Sequence, residues 1–161
     1  MRAPWAPPGE YTVRLTVNGE PFTQPLSLRL DPRVTTATED LALLASLSRE
    51  MYDGAVAAHA AYEEARVLVA ELEAAGKSDP QLEALAPPPQ PRTGRRYRRS
   101  APTGPPTLAS VSEAMMNAAM AMQEADVAPT QRQIEACDEA RAQFKELMPR
   151  WNSVKTSYSR R

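Results

Sequence analysis

Thr36 to Ala75 reads TATEDLALLASLSREMYDGAVAAHAAYEEARVLVAELEAA. Apolar or small residues recur in it at Leu44, Leu47, Met51, Ala55, Ala58, Tyr62, Ala65, Val69 and Leu72. Steps of three and four lay these side chains on one stripe of a 3.6-residue helix. Thr36, followed three residues later by Glu39, has the form of a capping box, and Gly76 supplies a stop. A helix of about 40 residues at 1.5 Å each spans about 60 Å, a length that propensity alone does not hold in water. It needs partner helices along its length.

Those partners lie downstream. Thr107 is a good N-cap for a helix carrying Leu108, Val111, Met115, Ala118 and Met122 at helical spacing, with Met116 and Met120 widening its apolar face. A methionine-rich stripe can form an adaptable groove or ligate a soft metal, but it fills a core far more often, and no Cys or His joins this one. Asp126 to Pro129 makes a turn, and Thr130 with Gln133 repeats the capping-box form. The last helix then carries Ile134, Cys137, Ala140, Phe144, Leu147, Trp151, Val154 and Tyr158 along one stripe. Pro149 inside it should kink the helix near Lys145 or split it there. A connection this short predicts an antiparallel helical hairpin. The fold expected is mainly α: an antiparallel three-helix bundle with an N-terminal β-hairpin. Gly54, Ala55 and Ala58 should allow close helix approach, and Phe144 and Trp151 should anchor the core.

The hairpin precedes the long helix. Tyr11, Val13, Leu15 and Val17 alternate with Thr12, Arg14 and Thr16, the pattern of a half-buried strand. Asn18-Gly19 is the preferred pair for a two-residue type I′ turn, and Phe22, Gln24, Leu26, Leu28 and Leu30 alternate on the return. Pro21 and Pro25 cannot donate to a ladder, which puts the second strand at a sheet edge until Asp31-Pro32 ends it. Two strands with one apolar face are marginal in water. Either that face packs on the helices, or it belongs to a larger sheet.

Pro8 to Gly19, read with Gln24 to Val34 and its Asp31-Pro32-Arg33-Val34 junction, resembles the last hairpin of a bacterial Ig-like sandwich domain. More narrowly, it is similar to the junction near the C-terminus of exported sialidase-like (BNR-repeat) and sortilin-like β-propeller proteins, where such a hairpin closes a small β-domain and an Ala-rich helical tail follows. The resemblance implies an upstream propeller or β-domain as partner and an exported, periplasmic or extracellular location. It carries no catalytic residue onto this chain, because the motifs it rests on carry no chemistry.

Residues 1–34 are thus read as the hairpin, 35–86 as the long first helix, 87–106 as a disordered Pro/Arg linker and 107–161 as the helical hairpin that completes the bundle. The linker holds Arg92, Arg95, Arg96, Tyr97, Arg98 and Arg99. A basic tract with one aromatic residue can hold a phosphate backbone or an acidic partner, so a free-standing helical adaptor is the competing reading. The bland alternative is a solvated loop offsetting the ten Asp/Glu against three Lys/Arg of residues 36–86. One tyrosine is not an interleaved aromatic pattern, and a net charge of −1 supplies no global field for nucleic acid.

Catalytic chemistry finds little to build on. His59 is the single histidine, with Glu63 four residues on and able to share its face. Glu63-Glu64 are adjacent and diverge by about 100° on a helix. Cys137 is the single cysteine and falls on the apolar stripe, which favours an inert thiol and rules out a disulfide within one chain. The glycines scatter among turns rather than forming a phosphate loop. No run reaches the 18 or so apolar residues of a membrane span. Residues 1–9 lack the apolar core of a signal peptide, as expected of a cytoplasmic product or equally of a fragment. The expectation is no enzyme activity, no cofactor and no metal.

Overall fold

The computed structural model describes residues 3–89 and 104–159. The chain is mainly helical, with an N-terminal hairpin of β1 (Gly9–Val17) and β2 (Glu20–Leu28) followed by α1 (Thr38–Ala74), α2 (Pro80–Leu85), α3 (Leu108–Ala121) and α4 (Gln131–Ser159). The expected linker falls largely on residues 90–103, outside the described residues.

The apolar stripe of α1 is the spine of the core. Leu47, Met51, Ala55, Ala58, Ala61, Ala65 and Val69 are buried against α3 and α4. From α3 come Leu108, Val111, Met115, Ala118 and Ala119, and from α4 Cys137, Ala140, Leu147 and Trp151. Of the methionine stripe, Met115 and Met122 are core, and Met116 and Met120 pack half-buried at its margin. Trp151 is buried as expected, whereas Phe144 packs at the core margin, half-buried. Alanine dominates the seam between α1 and α3, so their backbones lie close. A Cβ on Gly54 would sit 2.2 Å from Met115 Cε, and the Ser112 hydroxyl donates to the Ala55 carbonyl at 2.9 Å.

Polar bridges between the helices show their relative direction. Arg141 on α4 donates to both carboxylate oxygens of Glu50 on α1, at 2.5 and 2.7 Å, and is held in place by Asp138 one turn earlier. Lys155 pairs with Glu64 further along the same two helices and lies 6.0 Å from the Trp151 ring centroid. Both bridges join residues 91 positions apart, so α1 and α4 run in the same direction. In contrast, α3 runs against α1, since Ser112 meets Ala55 while Thr36 reaches Asp126.

Local hydrogen bonds close several of the helix ends. At the end of α1, Gly76 has φ +66°, its N–H bonds the Glu73 carbonyl at 3.0 Å, and the Lys77 N–H bonds the Leu72 carbonyl at 2.8 Å. That is a Schellman stop, the role expected of this glycine. Thr107 and Ser110 cap α3 reciprocally, and Thr130 and Gln133 do the same ahead of α4. Thr107→Ala should therefore cost about 1 kcal/mol in urea or thermal unfolding.

Two expectations are corrected. The Thr36–Glu39 box does not form: α1 starts at Thr38 with Ala37 at the N-cap position, so Thr36 stands one residue too early to cap, and its hydroxyl donates to the Asp126 carbonyl at 2.6 Å. Of the kink or split expected at Pro149, the split does not occur, since α4 is one helix of 29 residues. Proline at that position leaves the Lys145 carbonyl without its helical donor, but both residues are exposed, so water can take the donor's place.

Bridging to α4, α2 caps the far end of the assembly. One oxygen of Asp79 accepts the N–H groups of Gln81 and Leu82 at the start of α2, while the other accepts the Tyr158 hydroxyl at 2.6 Å. Leu82 and Leu85 are buried beneath it.

The Glu50–Arg141 contact carries a pH signature. The guanidinium holds the Glu50 carboxyl below its ordinary value. Folded Glu50 thus binds its proton less readily than unfolded Glu50, and its contribution is present near neutrality and lost as pH falls through the acid range. With side chains 44% and 26% exposed, solvent screening limits the contribution to about 1 kcal/mol or less. Glu50→Gln should lower stability by that amount at pH 7 and by nothing measurable at pH 3, as read by urea midpoints.

A candidate docking face on the hairpin

The hairpin geometry follows from its turn. Asn18 and Gly19 take φ +52° and +88°, the type I′ conformation. Val17 therefore pairs with Glu20, and the register continues through Leu15↔Phe22, Val13↔Gln24, Tyr11↔Leu26 and Gly9↔Leu28. All of these residues share one face. The other face carries Glu10, Thr12, Arg14 and Thr16 against Ser27, Pro25, Thr23 and Pro21.

The apolar face is not covered by the helices. Val13, Leu15 and Phe22 are 50%, 62% and 52% exposed, and Val17 and Leu26 are exposed beside them. Isolated exposed leucines are ordinary, whereas a contiguous apolar row on one side of a two-stranded sheet is a candidate docking surface. Of the two arrangements left open by the sequence, packing on the bundle is not the one adopted. Among the described residues, only the base of the hairpin is tied down. Trp5 N–H donates to Gln123 Oε1 at 3.0 Å, Tyr11 donates to the Pro7 carbonyl, and Asp31 takes the Arg33 amide and guanidinium in a tight turn over 31–34.

Backbone alternation makes the two edges unequal. The pair that closes a two-residue turn exchanges both backbone hydrogen bonds, and bonded pairs then alternate with pairs whose N–H and C=O point outward. Counting from Val17 and Glu20, the outward positions are Glu10, Thr12, Arg14 and Thr16 on β1, and Pro21, Thr23, Pro25 and Ser27 on β2. Both prolines of β2 fall where the missing N–H faces away from β1, so they interrupt the outer edge and spare the ladder. The outer edge of β1 keeps every donor. This asymmetry is readable from the four-residue proline spacing once the register is known.

Elsewhere the inventory is bland. His59 is exposed and sits 4.0 Å from Glu63, a local surface pair. Cys137 is buried, and desolvation pushes its thiol up, away from the reactive thiolate. Among the described residues no cluster of His, Cys, Asp or Glu could hold a metal ion, and no helix is long and apolar enough to cross a membrane. A cavity of about 210 Å³ lies where the hairpin base meets the bundle, between Trp5, Leu30, Leu44 and Met122, with Ser48 on its wall. Among the described residues, the buried Ser48 hydroxyl has no hydrogen-bond partner. A shallower groove of about 660 Å³ runs between α3 and α4 over Ala114, Ala118, Ala136 and Ala140. The candidate interaction residues Arg92, Arg95, Arg96, Tyr97, Arg98 and Arg99 lie outside the described residues. No protein-family model, no curated protein and no solved structure matches this chain.

Proposed function

We propose that the chain is a non-catalytic structural and interaction module, the C-terminal part of a sialidase-like or sortilin-like β-propeller protein. In this reading α1, α3 and α4 form an antiparallel three-helix bundle, and the hairpin closes a small β-domain of the same protein. The observation that carries the reading is the uncovered apolar face of the hairpin, with Leu15 and Phe22 more than half exposed beside a complete row of backbone donors. A sheet of two strands does not sustain such a face unaided. The resemblance of Pro8–Gly19 and Gln24–Val34 to the closing hairpin of such domains supports the same context.

The test is the intact mass of the native product, detected in cells with an antibody raised against the helices. A species much larger than 17.7 kDa is expected. A product of 17.7 kDa alone would overturn the reading.

A further inference from the structure

We propose that the hairpin joins the sheet of a β-sandwich domain through the outer edge of β1 and leaves β2 as the outermost strand. The inference rests on the reading of the chain as a module that closes such a domain. It adds which edge is used and what the adjoining strand carries.

Two demands must be met by one occupant. The first is hydrogen bonding: Glu10, Thr12, Arg14 and Thr16 present outward N–H and C=O groups, and among the described residues none of these reaches a partner. The second is apolar cover for Tyr11, Val13, Leu15, Phe22 and Leu26 on the perpendicular face. A helix laid on the hairpin would cover the face and leave the edge open. A second copy paired edge to edge about a two-fold axis would fill the edge and double the uncovered face. The end of a sheet in a two-layer sandwich meets both, since its last strand takes the β1 edge while the opposite layer takes the apolar face. The β2 edge is unsuited to the same role, because Pro21 and Pro25 leave it two donors, at Thr23 and Ser27. Outermost strands carry such prolines as protection against further pairing.

Charge narrows the partner. Glu10 and Arg14 stand on the polar face of β1, two pleats apart, and neither takes part in an ion pair among the described residues. Cross-strand neighbours of opposite charge stabilise a sheet, and like charges oppose it. The adjoining strand should present a Lys or Arg beside Glu10 and an Asp or Glu beside Arg14, with apolar side chains on its other face.

Residue-resolved hydrogen exchange on the native product, compared with the isolated 161-residue chain, tests the edge. Relative to the isolated chain, the amides of Glu10, Thr12, Arg14 and Thr16 should gain at least a hundredfold protection in the native product, while Thr23 and Ser27 stay fast. Protection at Thr23 and Ser27 instead, or at none of the six, would overturn the proposal. Arg14→Pro removes one outward donor and no inward ladder bond. It should strip the gained protection from Thr12 and Thr16 while the inward amides of Val13 and Leu15 stay protected, and Thr23→Pro should change nothing. Equal effects of the two prolines would also overturn it. The module reading fails separately, on a native mass of 17.7 kDa. Edge protection found only in a symmetric dimer of that product would exclude the sandwich partner as well.

Discussion

Trp151→Ala should lower the stability of the helical bundle by about 3–5 kcal/mol, the range for truncating a large buried aromatic side chain. Trp151 is 2% exposed and stands on α4 where it meets α1, one turn before Lys155. Its loss removes apolar contact from the core and leaves a cavity in a close-packed interior. The cation above the ring is a small part of the effect, because Lys155 is half-exposed and keeps its carboxylate partner Glu64. Urea unfolding followed by far-ultraviolet circular dichroism checks the figure. Lys155→Ala, as the comparison, should cost less than about 1 kcal/mol.

Gly54→Leu should be of similar severity for the opposite reason, with an expected cost of about 3 kcal/mol from overpacking. The glycine is helical, so backbone freedom is not what it supplies. What matters is the approach of α3: a Cβ alone would stand 2.2 Å from Met115 Cε and 2.7 Å from Sδ, with Phe144 at 3.9 Å behind them. Gly54→Ala sets the scale of the effect. Alanine gains about 1 kcal/mol in helix propensity over glycine, and the end of the Met115 side chain can turn aside, so the two contributions nearly cancel. Leucine asks for the space of the whole methionine. Pairing Gly54→Leu with Met115→Ala should recover part of the loss in the same urea assay, and strictly additive losses would contradict the contact.

Local chemistry was the legible part of this sequence. Helical spacing placed Met51, Ala55, Val111, Met115, Leu147 and Trp151 in the core, and the Asn18-Gly19 pair set the hairpin register. Caps whose partners are three residues apart, at Thr107 and Thr130, formed as read. The failures share a cause. The Thr36–Glu39 spacing fits a cap, yet α1 starts one residue too late for it, and the Thr36 hydroxyl binds a carbonyl 90 residues away. Pro149 reads as a kink or a break because the pattern does not reveal that it and Lys145 are both exposed. The Glu50–Arg141 and Glu64–Lys155 bridges depend on helix direction, which no local window contains. For the docking face, alternation told which side of the hairpin is apolar and was silent on what covers it. The unequal edges needed the register before the positions of Pro21 and Pro25 acquired meaning.

The parallel course of α1 and α4 has a mechanical consequence. The hairpin is anchored at the end of the bundle where α1 begins and α3 finishes, through Trp5 with Gln123 and Thr36 with Asp126. The clasp of α2, Asp79 and Tyr158 sits at the opposite end, where α1 and α4 both finish. Between them run the 37 residues of α1, about 55 Å at 1.5 Å per residue, and a second helix braced alongside by two ion pairs. Such a strut keeps its two ends, the hairpin base and the α2 clasp, a fixed distance apart.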